Sequence, residues 1–171
     1  AGEDAACVDR MTDQKRRDAA IRSARASGLP IRLGGTIDAG NPEYFDRRVQ
    51  PLLSTDALYL GPVDDVQKSE LLGGARALLF PIDWPEPFGL VMIEAMAHGT
   101  PVLAFDRGSV AEIVEDGVTG FVVPSEQEAV TALGRVGKLD RTAVRRRFEE
   151  RFTADRMARD YLALYRRLLS L

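Results

Sequence analysis

Residues 77–105 read ALLFPIDWPEPFGLVMIEAMAHGTPVLAF. Two short apolar runs, 77–80 and 102–105, enclose an apolar helical pattern at 89–98, and a loop with three prolines joins the first run to the helix. A strand, a crossover helix and a second strand in this order form the repeating unit of a parallel sheet. Because both runs are apolar throughout rather than alternating, we expect helices to cover both faces of the sheet.

The same alternation extends in both directions along the chain. Further strands are predicted at 5–8, 31–33, 57–60 and 120–123, and further helices at 13–27, 42–53, 65–74, 109–115, 125–134, 140–151 and 153–170. Ser109 and Ser125 are each followed three residues later by Glu, a spacing that predicts capping boxes. The sequence therefore predicts an α/β fold of three layers, with a parallel sheet of about six strands and additional C-terminal helices.

Composition excludes several classes of function. The 171 residues suffice for one domain, and 45% hydrophobic residues with a net charge of −3 are not typical of a disordered chain. No apolar run reaches the roughly 18–20 residues that a membrane span needs. Cys7 and His98 are the single residues of their types, so disulfide frameworks and structural zinc sites are excluded. Any chemistry must rest on carboxylates, cations and backbone dipoles.

The two ends of the chain suggest a piece of a longer protein. The first residues contain neither an initiator Met nor a signal sequence. The segment 141–171 is rich in Arg, which we interpret as a solvated helix face rather than a nucleic-acid site. In the last predicted helix, an apolar stripe is formed by Met157, Tyr161, Leu164, Tyr165 and Leu168. This stripe either covers the domain's own sheet or reaches another domain.

The loop after the strand at 77–80 carries the most informative chemistry. Its prolines hold Glu86 on a stiff loop at a helix N-terminus, and Gly89 permits a sharp entry into the helix. Glu94 follows in the second turn, and no Lys or Arg lies within four residues of it. Either a cation from elsewhere in the fold pairs with Glu94, or Glu94 accepts hydrogen bonds from a vicinal diol such as a ribose. In the second case, Glu86 contacts a further sugar, and the N–H groups near Gly89 and Leu90 bind phosphate.

These residues resemble a known family. Glu86-x7-Glu94, within EPFGLVMIEAMAHGTPV, resembles the donor-site motif of retaining glycosyltransferases of family 4, also called group 1, which have the GT-B fold. The resemblance continues through 59–65, 75–81 and 108–121. It implies two Rossmann-like domains, of which residues 1–171 form the C-terminal, nucleotide-sugar-binding one, with the N-terminal acceptor domain absent. The implied reaction is retaining transfer of a hexosyl group to an acceptor hydroxyl, for which this fragment alone is incomplete.

The resemblance also implies roles for individual residues. Glu86 corresponds to the carboxylate near the transferred sugar, while Arg10 and Lys15 correspond to the cations that neutralise the diphosphate leaving group. These three are the candidate catalytic residues. The candidate donor-binding residues, which contact the ribose, the diphosphate and the nucleobase, are Glu94, Phe88, Gly89, Leu90, Gly61 and Val63. The donor is a nucleoside-diphosphate sugar, and neither a metal nor another cofactor is implied.

Two departures from the family pattern keep other interpretations open. The family usually has Gly before that Arg and often Gly after that Lys, where this chain has Asp9 and Arg16. A related GT-B enzyme, such as a phosphorylase or a sugar-nucleotide epimerase, is one alternative, and a non-catalytic nucleotide-binding or interaction module is another. The expected partners are the nucleotide sugar and the missing N-terminal domain, with no nucleic acid. The expected location is the cytoplasm, with any contact with the inner face of the membrane made through the missing half.

Overall fold

A computed structural model of the protein describes residues 2–169, which form a six-stranded parallel sheet with helices on both faces. The strands are β1 (Ala5–Val8), β2 (Ile31–Gly34), β3 (Ala57–Tyr59), β4 (Ala77–Phe80), β5 (Val102–Phe105) and β6 (Gly120–Val123). All six predicted strands are confirmed, with their ends displaced by at most one residue. The α/β class and the parallel sheet are confirmed with them.

Eight helices surround the sheet in the described part of the chain. They are α1 (Arg17–Ala26), α2 (Pro42–Tyr44), α3 (Asp65–Gly74), α4 (Leu90–Ala97), α5 (Val110–Ile113), α6 (Glu126–Val136), α7 (Arg141–Arg151) and α8 (Ala154–Leu169). Successive strand residues point to opposite faces, so Leu79 belongs to a core with α1 and α6, while Leu78 belongs to one with α3 and α4. Both faces of the sheet are therefore buried in a three-layer, Rossmann-like arrangement.

The order of the strands places a crevice at one edge of the sheet. The sheet runs β3-β2-β1-β4-β5-β6, and the central pair is aligned with Ala5 opposite Ala77 and Ala6 opposite Leu78. The chain winds outward from β1 in one direction and from β4 in the other. In open parallel sheets, ligands bind beyond the carboxyl ends of the strands where this reversal occurs. The loops that follow Val8 and Phe80 are thus the expected position of a site.

Two predicted helices differ from the prediction in a way that bears on the site. The helix predicted from residue 13 begins at Arg17, because Asp13–Lys15 form a 3-10 turn and Arg16 adopts a left-handed conformation with φ 49°. This interruption separates Lys15 from α1. The predicted helix 42–53 is helical over 42–52 but irregular, with a π-helical turn at Phe45–Val49 followed by a 3-10 turn containing Pro51.

Of the two predicted capping boxes, one is wrong and one is half formed. Ser109 does not cap α5 with its side chain, since its hydroxyl donates to the carbonyl oxygen of Phe88 at 2.9 Å. Ser125 does cap α6, accepting from the Glu128 N–H at 3.4 Å, although the Glu128 carboxylate accepts from the Ser125 hydroxyl instead of its backbone. A reciprocal capping box, which the sequence analysis missed, joins Asp64 and Gln67 at the start of α3.

The C-terminal helix α8 does not cover the sheet. None of its described residues is buried, and the stripe residue Tyr161 is 53% exposed. The first of the two alternatives for the stripe is therefore wrong. Ser170, the last residue of the predicted helix, lies outside the described residues. Within residues 2–169, no helix combines the length and apolar character needed to cross a membrane.

Candidate functional site

A cavity of about 460 Å³ lies at the reversal point of the sheet. It is lined by Val8, Asp9, Lys15, Lys68, Glu86, Pro87, Phe88, Gly89, Leu90, Val91 and Glu94. The structure thus brings together six of the nine predicted site residues. A larger cavity, of about 720 Å³, runs along α3, and Val63 lies on its wall. Volume does not decide between the two, whereas the strand order and the convergence of charged groups favour the smaller one.

Lys15 and Glu86 form the central ion pair of the cavity. The Lys15 ammonium lies 2.7 Å from Oε2 of Glu86, which also accepts a hydrogen bond from the indole N–H of Trp84 at 2.9 Å. The same ammonium lies 5.5 Å from the centre of the Phe80 ring. Lys15 reaches this position because the left-handed Arg16 separates its 3-10 turn from α1. On a continuous helix, the direction of the Lys15 side chain would be set by the helix axis. The pair is mostly shielded from solvent, so an incoming anion meets a cation that is already positioned.

The backbone of the Glu86 loop is held by the neighbouring loop after β5. The Ser109 N–H donates to the Glu86 carbonyl oxygen at 2.9 Å, and the Ser109 hydroxyl donates to the Phe88 carbonyl oxygen at the same distance. At Gly108, a Cβ atom would collide with the backbone N and O of Glu86. The two loops therefore lie in direct backbone contact, which fixes Glu86 without using its carboxylate.

The N-terminus of α4 opens into the cavity without a side-chain cap. Its N-cap residue is Gly89, which has φ 77°, as the predicted sharp entry requires. A helix N-terminus carries unpaired N–H groups and a partial positive charge, which together favour an anion. Leu90, the first helical residue, is 65% exposed although most of the helix is buried. Phe88, just before it, packs edge-on against Phe152 with the ring centres 6.4 Å apart.

Glu94 has a cationic partner from another element of the fold. The Lys68 ammonium of α3 lies 2.9 Å from Oε1 of Glu94 and 3.4 Å from Asp65. The hydrogen bond to Glu94 raises the pKa of Lys68. Of the two readings of Glu94, the pairing with a distant cation is confirmed, and the Glu94 side chain remains 36% exposed to the cavity. Sequence reasoning missed Lys68, because the pair joins two helices that are 26 residues apart in the chain.

Three predicted residues lie apart from this cavity. Arg10 is exposed and is not part of the cavity wall. Gly61 has φ 78°, and its carbonyl oxygen accepts from the Gly35 N–H at 2.9 Å, which fixes the loop after β3 against the loop after β2. Val63 packs beside Gly34, where an added Cβ would come within 3.0 Å of its side chain. Residues 2–169 contain no group of three or more His, Cys, Asp or Glu side chains suited to a metal ion.

Residues 5–151 match the family described as glycosyl transferases group 1. The chain belongs to this family. The match includes the strands that flank the crevice, the loop of Glu86 and the whole of α4. The family and the Rossmann-like domain of GT-B type expected from the sequence are both confirmed.

Individual relatives agree with this assignment. The chain is 37% identical over 90 residues to phosphatidyl-myo-inositol mannosyltransferase of Mycobacterium leprae, an alignment covering 53% of this chain and 24% of that protein. AviGT4, a glycosyltransferase involved in avilamycin A biosynthesis, superposes with a TM-score of 0.83 at 30% identity, covering 99% of this chain and 52% of AviGT4. Alr3699/HepE of Anabaena, solved with UDP and glucose, has the same fold with a TM-score of 0.81 at 23% identity, covering 99% and 49%. The chain thus spans about half of each of these two structures.

Proposed function

We propose that this chain is the donor-binding domain of a retaining glycosyltransferase of family 4, and that it binds a nucleoside-diphosphate sugar in the cavity between β1 and β4. One observation carries the proposal. Two carboxylates, Glu86 and Glu94, line the same cavity as the uncapped N-terminus of α4, and the Lys15 ammonium lies on the cavity wall beside Glu86. A nucleotide sugar needs this alternation of hydroxyl acceptors and an anion site.

Each part of the donor then has a complementary group. Glu94 accepts hydrogen bonds from the ribose hydroxyls with the carboxylate oxygen that does not face Lys68. The N–H groups at Gly89 and Leu90, together with Lys15, bind the diphosphate. Glu86 accepts from hydroxyls of the transferred sugar, which it orients without acting as a covalent nucleophile.

The chemistry that these residues support is departure of the nucleoside diphosphate. Negative charge grows on the diphosphate as its bond to the sugar breaks, and cations fixed beforehand stabilise that charge. On donor binding, a phosphate oxygen takes the place of the Glu86 carboxylate on the Lys15 ammonium. The exchange is short-range, because both groups bind the same ammonium. Arg10 approaches the diphosphate from the exposed edge of the same loop. The proposed transfer is independent of a divalent metal, so chelation with EDTA should leave it unchanged.

The acceptor and part of the catalytic machinery belong to an N-terminal domain outside this chain. No residue of the apolar stripe of α8 is buried within residues 2–169, and we propose that the stripe packs on that domain. In the isolated chain, donor binding should occur without efficient transfer. We expect the whole protein in the cytoplasm, with any membrane contact made by its other half.

We propose that the loop at Gly61 and Val63 binds the nucleobase, mainly through backbone groups. UDP is the first candidate to test, because a neighbour of the same fold was solved with it. Titration calorimetry with UDP, GDP and ADP, and with their glucose and mannose conjugates, would decide. We expect one nucleotide to bind far more tightly than the others. A folded chain that binds none of them at millimolar concentration would disprove the donor-site proposal.

One observation favours the alternative of a non-catalytic nucleotide-binding module. Asp9 stands where the family usually has Gly, and its carboxylate lies 2.8 Å from Lys15. An assay of the whole protein distinguishes a retaining transferase from a non-catalytic binding module. A transferase releases the diphosphate when an acceptor is present and keeps the anomeric configuration of the sugar, which proton NMR detects. A binding module retains the donor unchanged.

A further inference from the structure

Three charged side chains meet directly behind the proposed diphosphate position. The Asp9 carboxylate oxygen Oδ2 lies 2.8 Å from the Lys15 ammonium and 3.5 Å from Nη2 of Arg17. Asp9 itself is anchored, because its N–H donates to the Gly34 carbonyl oxygen at 3.2 Å and its Oδ1 accepts from the Arg10 N–H at 2.7 Å. One carboxylate oxygen of Asp9 therefore lies within ion-pair distance of two cations.

Arg17 is an unusual partner, since its side chain has no exposed surface. Nη1 donates to the sulfur of Cys7 at 3.0 Å, whereas Nε and Nη2 have no hydrogen-bond partner in the described structure. The separation of 3.5 Å from Asp9 is an ion-pair distance and too long for a good hydrogen bond. A buried guanidinium with unused donors is destabilising unless a carboxylate lies close to it.

We infer that Asp9 is a specificity-determining carboxylate. It pairs with Lys15 in the absence of a donor, and its carboxylate shifts to a hydrogen bond with Arg17 when a diphosphate binds. The inference rests on the proposed function and adds a residue to that site. A diphosphate needs the Lys15 ammonium that Asp9 and Glu86 now share. The unused donors of Arg17 give the displaced Asp9 oxygen a new partner within about 1 Å of its present position.

The arrangement also predicts which ligands the site admits. A weakly charged anion gains too little from Lys15 to displace Asp9, whereas a diphosphate brings several negative charges to the same point. Asp9 therefore selects for the diphosphate and against single-charge anions such as acetate. Gly at this position would leave Lys15 paired with Glu86 alone and remove that selection.

Pyrophosphate, acetate, UDP and GDP are the probes for calorimetry on the 171-residue chain. In Asp9→Asn, Lys15 loses one of its two carboxylates, so we expect pyrophosphate and the preferred nucleotide to bind roughly tenfold more tightly. We also expect acetate to compete measurably in this variant. Asp13→Asn is the matched control, because Asp13 is an exposed residue of the same segment, and its carboxylate accepts from the Gln14 N–H rather than pairing with Lys15.

The role of Arg17 is tested with a second variant and a double variant. Arg17→Met keeps the volume and removes a buried charge, so it should fold. In Arg17→Met, Asp9 has no second partner, and binding of pyrophosphate should weaken by roughly three- to tenfold. In the double variant Asp9→Asn/Arg17→Met, affinity should match that of Asp9→Asn alone. A purely structural Arg17 would change the melting temperature of Arg17→Met and leave its affinity for pyrophosphate as in the parent chain.

The outcomes separate the two proposals. If the parent chain binds a nucleotide and Asp9→Asn binds it no more tightly than Asp13→Asn does, the inference is wrong and the donor site stands. If Arg17→Met binds pyrophosphate like the parent, the transfer of Asp9 to Arg17 is wrong. If neither the parent nor Asp9→Asn binds any nucleotide or pyrophosphate, the proposed function and the inference fail together.

Discussion

The Lys68 ammonium lies 2.9 Å from Oε1 of Glu94, and this ion pair joins α3 to α4 across the mouth of the cavity. It satisfies one oxygen of the Glu94 carboxylate and leaves the side chain partly exposed. The pair therefore orients the carboxylate without closing the position that a ribose would take. In the proposed site, α3 and α4 flank the nucleoside end of the donor. Substitution of Glu94 or Lys68 should therefore change nucleotide binding.

Glu94→Gln should weaken binding of the preferred nucleoside diphosphate by roughly 10- to 100-fold, because a carboxylate that accepts from a diol is replaced by a neutral amide. Calorimetry with UDP and GDP measures the change. Pyrophosphate, which has no ribose, should bind both proteins equally. Glu112→Gln, on the exposed face of α5, is the matched control. Equal nucleotide affinity in Glu94→Gln and the parent would refute the ribose assignment.

Lys68→Met should weaken nucleotide binding by roughly three- to tenfold, since Glu94 loses the cation that orients it and the cavity loses a positive charge. The salt dependence of the affinity should become shallower in the same variant. Because the hydrogen bond to Glu94 raises the pKa of Lys68, the ammonium stays charged at neutral and mildly alkaline pH. Binding measured at pH 7 and pH 9 should therefore show no loss due to Lys68. Tighter binding by Lys68→Met would mean that the pair blocks the site.

Gly89→Ala should lower both stability and affinity, because residue 89 has φ 77° and an added Cβ would lie 2.6 Å from the Met92 terminal carbon. We expect a loss of about 1–2 kcal/mol in the free energy of unfolding. Gly134→Ala is the matched comparison: residue 134 lies inside α6 with nothing within 4 Å of an added Cβ. That variant should be more stable by about 0.5–1 kcal/mol and bind nucleotide normally. Urea unfolding and calorimetry measure both effects.

Asp18 should make the fold sensitive to acid. Burial of its carboxylate favours a higher pKa, but hydrogen bonds from Tyr44 at 2.8 Å, Arg22 at 2.9 Å and Arg48 at 3.2 Å outweigh burial and lower it. Because the folded pKa lies below the unfolded one, this stabilisation is complete above about pH 5 and is lost as pH falls toward and below about 4.

Asp18→Asn should therefore cost about 3 kcal/mol at pH 7, where it removes a buried charge that three donors share. The difference from the parent should shrink when urea unfolding is repeated near pH 3.5. Asp46→Asn, an exposed carboxylate of the same region, should match the parent at both values. A constant difference between pH 7 and pH 3.5 would contradict the assigned role of the Asp18 charge.

The apolar stripe of α8 should contribute nothing to the stability of this domain. Tyr161→Glu should change the free energy of unfolding by less than about 0.5 kcal/mol, because the side chain is 53% exposed. Leu133→Ala, at a position of α6 that is 1% exposed, should cost about 2–5 kcal/mol in the same assay. In the whole protein, Tyr161→Glu should be destabilising. The absence of any effect there would contradict packing of α8 on the other domain.

The sequence predicts the sheet well because its strands are signalled locally. Each is a short, mostly apolar run followed by Gly, Pro or Asp, and only β2 includes a charged residue, Arg32. Recognising such runs needs no long-range information. Gly89 and the Glu86 loop are similarly local, since three prolines and a glycine restrict the backbone by themselves. The family motif lies in this same stretch, so the position of the proposed donor cavity follows from it.

The features that the sequence missed depend on contacts between distant segments. Lys68 and Glu94 are 26 residues apart, and nothing local indicates that α3 places one beside the other. Ser109 has the spacing of a helix cap, but the approach of the β4 loop gives its hydroxyl a different acceptor. An arginine at position 16 does not predict a left-handed backbone, although the glycine that the family often has there is consistent with that conformation.

The contact between Ser109 and the loop of Glu86 has a kinetic consequence. Ser109 holds the backbone at Glu86 and Phe88, so the proposed exchange of Lys15 for a sugar hydroxyl needs only rotation about the bonds of the Glu86 side chain. Side-chain rotations take place in nanoseconds, whereas domain closure takes microseconds to milliseconds. Stopped-flow binding of nucleotide to the 171-residue chain should therefore be a single concentration-dependent phase, and any slower phase should appear only with the whole protein that we propose.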